Sequence, residues 1–185
     1  RRKNTVFTRL GQEFMPYEQG ISIDLMPFDN IPDSDAARKV HKFICFLFRK
    51  AFWSAVGRKT EKNSWKKILY ELLYLIPEER LVSSYQRWID RCKRLGCTSQ
   101  VRILTFPTPG NVYGYDRKWY TCLRSYEFEG CRLPGARDFD GYLKVKYGNY
   151  MDLPPVEKRR VHPISKLKLP EGCGDATGHF GAGQG

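Results

Sequence analysis

Carboxylates that could hold a divalent cation and basic residues that could grip phosphate are the chemical resources of this chain. Asp24 stands first among them. It lies in Ile21-Ser22-Ile23-Asp24-Leu25-Met26-Pro27-Phe28, where alternation would put Ile21, Ile23 and Leu25 on one side of a strand and Ser22, Asp24 and Met26 on the other. A carboxylate on a rigid strand in apolar company calls for a metal ion, a basic side chain or a substrate hydroxyl, because an unpaired buried charge is costly. Asp24 is thus a candidate metal ligand, set against the plainer reading of an exposed or Arg-paired acid.

Two Asp-x-Asp pairs, Asp33/Asp35 and Asp138/Asp140, have the spacing to share one cation. Both precede helical patterns, where acids cap amides and oppose the helix dipole, and capping is the preferred reading. The aromatic and basic stretch 113–124 could stack bases and hold phosphates, and suits a nucleotide pocket as well as a nucleic-acid surface. Lys158-Arg159-Arg160, near His162 and Lys166, could clamp phosphate, although a solvated charge run is the commoner explanation. Nucleophilic catalysis by a Ser-His-Asp set finds little support in His41, His162 and His179, and there is no nucleophile elbow, P-loop or dinucleotide fingerprint. Cys92 and Cys97 approach a zinc half-site in spacing, but Cys92 falls on the apolar face of a predicted helix and no His follows at finger spacing.

The elements that must position these residues are mixed. A short strand is expected over 5–10, and Gly20 precedes the Asp24 strand. With Asp33 or Ser34 as N-cap, a helix runs from about Ala36 to Val56 and stops at Gly57. Asn63 caps a second helix carrying Trp65, Ile68, Leu69, Leu72, Leu73 and Ile76; Pro77 starts a third with Leu81, Tyr85, Trp88, Cys92 and Leu95, stopped by Gly96. These stripes are expected to form core. Residues 101–106 read as a strand, 126–133 as a hairpin about Glu129-Gly130, and Asp138 caps a helix ended by Gly148. The Gly-rich stretch 171–185 has no periodicity and is expected to be disordered.

With 185 residues the chain has room for one domain with a core, and its net charge of +12 favours anionic partners. Six cysteines without dense regular spacing fit a reducing compartment. No apolar run approaches the length of a membrane span, and nothing resembles a secretory signal. Lys50, Phe52, Trp53, Arg58 and Lys59 mix charge with aromatics in the way of interfacial helices, which leaves room for peripheral membrane contact.

Taken together, the segment from Gly20 to Asp33, then Tyr113-Gly114-Tyr115, Phe128-Glu129-Gly130, Tyr142-Leu143 and the run from Tyr147 to Pro155 resemble, in order and spacing, the LicD family of phosphorylcholine transferases. The resemblance covers about 1–162. It implies an α/β (α+β) nucleotidyltransferase-like catalytic fold, truncated at its N-terminus and carrying a helical insertion after the Asp24 strand, with a LicD-like domain over 1–170 and the tail over 171–185. It implies a Mg2+-dependent phosphotransferase that moves phosphocholine, or a related phospho-alcohol, from CDP-choline or a similar donor onto a cell-surface glycan such as lipopolysaccharide, teichoic acid or capsule. Asp24 matches the third acid of the family's metal site. Beside it, Tyr113, Arg117 and Arg160 are candidate nucleotide or phosphate contacts, Glu129 is a candidate pocket-facing acid set against an ordinary edge-strand acid, and Asp29 ties the loop after the strand in either a structural or a functional role.

The family's paired aspartates stand upstream of the Asp24 strand, and neither Asp33/Asp35 nor Asp138/Asp140 replaces them. The expectation is therefore a fragment that lacks transferase activity by itself, acting in the cytoplasm or at the inner face of the membrane. The rival reading is a basic nucleic-acid-binding module without catalysis; the resemblance disfavours nucleic acid as a partner.

Overall fold

The computed structural model describes residues 3–108, 112–159 and 163–169, and the chain divides into two units. The architecture is mixed, with helices and small antiparallel sheets, as an α+β reading requires. Arg160, His162, His179 and the stretch 171–185 lie outside the described residues.

One unit joins the two ends of the chain, Arg1–Leu25 and Arg160–Gly185. Its sheet pairs β1 (Val6–Arg9) antiparallel with β7 (Ile164–Lys168), Val6 opposite Lys168, with an irregularity between Thr8 and Arg9. The segment that follows β1 folds back on it: Phe7 N–H donates to the Gln19 carbonyl at 2.6 Å, and Ile21 N–H to Thr5 Oγ1 at 3.0 Å.

Beyond Ile21 the expected strand does not form. Residues 21–28 have no regular secondary structure, and Ile23 and Leu25 are 89% and 90% exposed. Alternating apolar residues only permit a strand; a ladder needs a neighbour to take its N–H and C=O groups. The pattern here finds none among the described residues, and only Asp29–Asn30 become strand β2.

The second unit, Met26–Arg159, is continuous in sequence. Its central sheet has the order β2, β3 (Gln100–Arg102), β4 (Tyr115–Asp116), all antiparallel, with Asp29 opposite Arg102 and Val101 opposite Tyr115. The expected strand over 101–106 is thus cut to three residues. Gly114 lets β4 approach: a Cβ there would stand 2.5 Å from Ile31 Cδ1 and 3.0 Å from the Val101 carbonyl.

Four helices precede β3. Ser34 is the N-cap of α1 (Asp35–Phe52), which ends at Trp53; α2 (Ser54–Thr60) then starts anew, so Gly57 lies inside a helix instead of stopping one. The Asn63 side chain caps α3 (Ser64–Tyr74) by accepting from Lys66 N–H. Pro77 precedes α4 (Glu78–Lys93), and Gly96 follows with φ +74. The core lies between α1, α4 and the sheet: Ile31, Cys45, Cys92 and Leu104 are buried, with Tyr85, Trp88, Ile89 and Tyr113 against them. Of the α4 stripe, Tyr85, Trp88 and Cys92 join the core, whereas Leu95 is exposed. The α3 stripe is not core, for Trp65, Ile68, Leu72 and their neighbours face solvent, and α3 buries only Tyr70 fully.

After β4, a short helix α5 (Lys118–Thr121) leads to the hairpin β5 (Leu123–Phe128) and β6 (Cys131–Ala136). Glu129 and Gly130 make its two-residue turn with φ of 49 and 73, the positive pair that matches strand twist. Asp138 caps α6 (Phe139–Tyr147) by accepting from Gly141 N–H, and Gly148 ends it. Phe28, Tyr115, Tyr120 and Tyr142 form a continuous ring cluster that binds α5 and α6 to β4. Among the described residues no helix is long and apolar enough to cross a membrane.

Candidate functional site: a cationic cavity beside a buried histidine

The residues singled out by sequence are dispersed. Asp24 is exposed and lines a cavity of about 390 Å³ within the unit formed by the chain ends, together with Arg9, Glu18 and Gln19. Among the described residues no three His, Cys, Asp or Glu side chains gather into a group able to hold a metal ion. The described donors therefore do not fit Mg2+ on their own. The acids of the two Asp-x-Asp pairs are committed elsewhere. Asp33 accepts from the Ser99 hydroxyl and backbone N–H, which holds its carboxyl below the usual range, and Asp140 takes Lys144 at 2.7 Å and the Tyr150 hydroxyl at 3.0 Å.

Arg117 is a structural tie. Its guanidinium donates to the Thr98 carbonyl and to Asn30 Oδ1, while Asn30 Nδ2 donates to the Gly96 carbonyl at 2.7 Å, so β2 is joined to the turn after α4. Glu129 is exposed at the hairpin tip. Of Tyr113, Arg117 and Glu129, Tyr113 lines a large cavity of the continuous unit.

That cavity, about 820 Å³, follows from two periodicities. Asp35, Arg38, Lys39, Lys42, Cys45, Phe46 and Arg49 recur at helical spacing and turn one face of α1 toward it, while Gln100, Arg102 and Leu104 alternate along the opposite wall. Five cations meet one carboxylate, and that carboxylate, on Asp35, is already 3.5 Å from Arg38. The volume is that of a small-molecule site.

Arg102 sets the electrostatics. It is only 6% exposed; one nitrogen donates to the Phe106 carbonyl at 3.0 Å, and its guanidinium lies 4.9 Å over the Tyr113 ring. Among the described residues its Nε has no hydrogen-bond partner and no carboxylate comes within ion-pair distance. Gln100 Oε1, on the same wall, is also buried without a partner among the described residues. A buried guanidinium lacking an anion is destabilising, and a cavity at its side is where an anion would relieve it.

Behind Tyr113 sits His41, 2% exposed. Its Nδ1 and the Tyr113 hydroxyl share a hydrogen bond of 2.5 Å, and its Nε2 lies 3.4 Å from Cys92 Sγ. Burial, helped by the Arg102 charge, pulls the imidazole down to about 4, while burial pushes the Tyr113 hydroxyl and the Cys92 thiol up to about 12 and raises Cys45. All four groups are neutral near pH 7. The thiols are protonated and lack the thiolate character that nucleophilic or metal-binding cysteines need. The cluster therefore positions the Tyr113 ring and shapes the cavity wall.

Sequence reasoning missed Arg102 and His41. The cationic face of α1, with Arg38, Lys39, Lys42 and Arg49 at helical spacing, was a readable signal; the pairing of His41 with residues on α4 and in the loop before β4 was not. No family model, curated protein or solved structure matches this chain.

Proposed function

We propose that the chain is a LicD-like phosphotransferase, and that the cavity walled by α1 and Arg102 receives the phosphates of a nucleotide-activated donor such as CDP-choline. The observation that carries this reading is the buried Arg102 guanidinium, which among the described residues has no carboxylate within ion-pair distance and lies beside a cavity whose other charges are almost all positive. Arginine's planar fork suits phosphate oxygens, and charge-assisted bonds of this kind are among the strong ones. Tyr113, a residue of the family-like motif, forms part of the same wall with Arg102 stacked on its ring, which supports the nucleotide assignment.

In the reaction so inferred, a glycan hydroxyl attacks the phosphorus that bears choline. A glycan O–P bond forms, the phosphoanhydride O–P bond breaks, CMP leaves with the electron pair, and the hydroxyl proton passes to a base. The cavity's cations would hold the phosphate oxygens and balance charge on the departing CMP. Asp24 is the carboxylate proposed for Mg2+; the described residues do not complete that site, and no step of the reaction is routed through the metal. Binding without turnover is the behaviour expected of these 185 residues. The nucleotidyltransferase-like fold, the cytoplasmic setting and the cell-surface glycan acceptor belong to the same proposal.

Arg102→Met tests it. Loss of a charge-assisted bond should weaken CDP-choline binding in calorimetry by about 10- to 100-fold, while removal of an unpaired buried charge should raise the melting temperature. Loss of stability with unchanged affinity would show Arg102 to be structural. Salt-steep binding of single-stranded DNA that CDP-choline does not displace would instead favour the nucleic-acid module.

A further inference from the structure

The cavity walled by α1 and Arg102 holds more positive charge than CDP-choline can answer. Four of its cations, Lys39, Lys42, Arg49 and Arg102, have no carboxylate within ion-pair distance among the described residues. The fifth, Arg38, is already engaged: it lies 3.7 Å from Asp33 and 3.5 Å from Asp35, and it donates to the Pro32 carbonyl at 2.7 Å. Lys39, Lys42 and Arg49 all line the cavity from α1, so the row extends over about 15 Å of helix.

The diphosphate of CDP-choline carries two negative charges, and its quaternary ammonium cancels one of them. The ammonium also finds no unengaged partner among the described lining residues. Phe46 has Arg49 and Lys50 at 5.5 and 5.6 Å from its ring centroid, Tyr113 has Arg102 at 4.9 Å, and Asp35, the lining carboxylate, is shared with Arg38. A nucleoside triphosphate or inorganic pyrophosphate bears no cation of its own and presents every charge to the lining.

Chemistry links those two anions to the donor. An anhydride between CMP and a phospho-alcohol forms by nucleotidyl transfer. A phosphate oxygen of the phospho-alcohol attacks the α-phosphorus of a triphosphate, an O–P bond forms, the α–β anhydride bond breaks, and pyrophosphate leaves with the electron pair. The triphosphate and pyrophosphate are thus substrate and product of the class of reaction that must supply this donor.

We propose that the cavity binds nucleoside triphosphate and pyrophosphate in preference to the CDP-activated donor, so that the anions of the supplying step compete with the donor for it. This rests on the nucleotide reading of the cavity.

Competition calorimetry on the full chain tests it, in metal-free buffer of fixed ionic strength, with CDP-choline, cytidine triphosphate and pyrophosphate as probes. Cytidine triphosphate should bind about tenfold more tightly than CDP-choline, since each added, partly exposed ion pair is worth a factor of a few. Pyrophosphate should displace CDP-choline, and added salt should shrink the preference. Lys42→Gln/Arg49→Gln should bring the two nucleotides within about threefold of each other. Neither residue is buried, so that variant should keep the circular dichroism spectrum of the parent. Lys66→Gln/Lys67→Gln, on α3 and outside the cavity, should leave the ratio unchanged. CDP-choline bound as tightly as the triphosphate, or not displaced by pyrophosphate, overturns the preference and leaves the nucleotide reading standing. A preference that survives Lys42→Gln/Arg49→Gln, or that falls equally in the α3 control, marks general attraction to a chain of charge +12 and overturns it too. Failure of all three probes to bind overturns both.

Discussion

His41 makes the stability of this protein sensitive to mild acid in a way that can be calculated. The imidazole titrates at 6.5 in an unconstrained chain and at about 4 when folded, chiefly because burial disfavours the cation and secondarily because Arg102 repels it. As pH falls through 6.5 the unfolded chain takes up a proton that the folded protein refuses. Stability from this site is therefore complete above pH 6.5, and is lost progressively down to about pH 4, where the folded protein accepts the proton too. A displacement of about 2.5 units, at roughly 1.4 kcal/mol per unit, amounts to about 3 kcal/mol in all. About 2 kcal/mol of it should be gone by about pH 5.

The groups facing the imidazole are the Tyr113 hydroxyl, the Cys45 and Cys92 thiols and the Arg102 guanidinium, none of which changes charge in that window. His41→Gln keeps hydrogen-bonding capacity toward Tyr113 and removes the titration. Urea midpoints, measured for parent and variant from about pH 7.5 to about pH 5, should show the parent's advantage shrinking by about 2 kcal/mol as pH falls. The difference cancels the carboxylates common to both proteins. A stability difference that stays constant across this range would refute the assignment of a neutral, desolvated His41.

Other outcomes follow from the packing. Gly57→Ala should lower stability by about 1–3 kcal/mol in urea or thermal melts, because its methyl would meet the Tyr70 ring at 2.7 Å. Asn63→Ala should cost about 1 kcal/mol and reduce helical ellipticity, since its side chain satisfies the Lys66 N–H at the start of α3. Asp24→Asn should leave the urea midpoint within about 0.5 kcal/mol, as expected of an exposed carboxylate away from any packed feature; a larger drop would reveal a structural partner for it.

What could be read from sequence was what neighbours along the chain decide. Asn63 and Asp138 as caps, Gly96 and Gly148 as stops, and Glu129-Gly130 as a hairpin turn are all settled within a few residues. The break at Trp53 escaped because the apolar pattern runs through it, and Gly57 looked like a stop when its task is to admit Tyr70 from another helix. The Asp24 segment shows the opposite failure: its alternation is ideal, but among the described residues no neighbouring strand takes its hydrogen bonds. The site was half legible. Tyr113 could be named from its motif, whereas Arg102 gains meaning only from what is missing around it, and His41 only from partners that the fold brings from Cys92 and Tyr113.

The two-stranded sheet of β1 and β7 has a consequence for how the protein comes into being. Ribosomes deliver residues in order, at about 5–20 per second, so β1 emerges on the order of ten seconds before the strand it pairs with. The Met26–Arg159 unit needs nothing from later in the chain to close its own sheet, because β2, β3 and β4 all lie within it. During that interval Val6 and Phe7 have an open edge and no ladder. The nascent protein is thus a finished insert trailing an unfinished host, and chaperone capture or proteolysis in that state should fall first on the stretch before Met26.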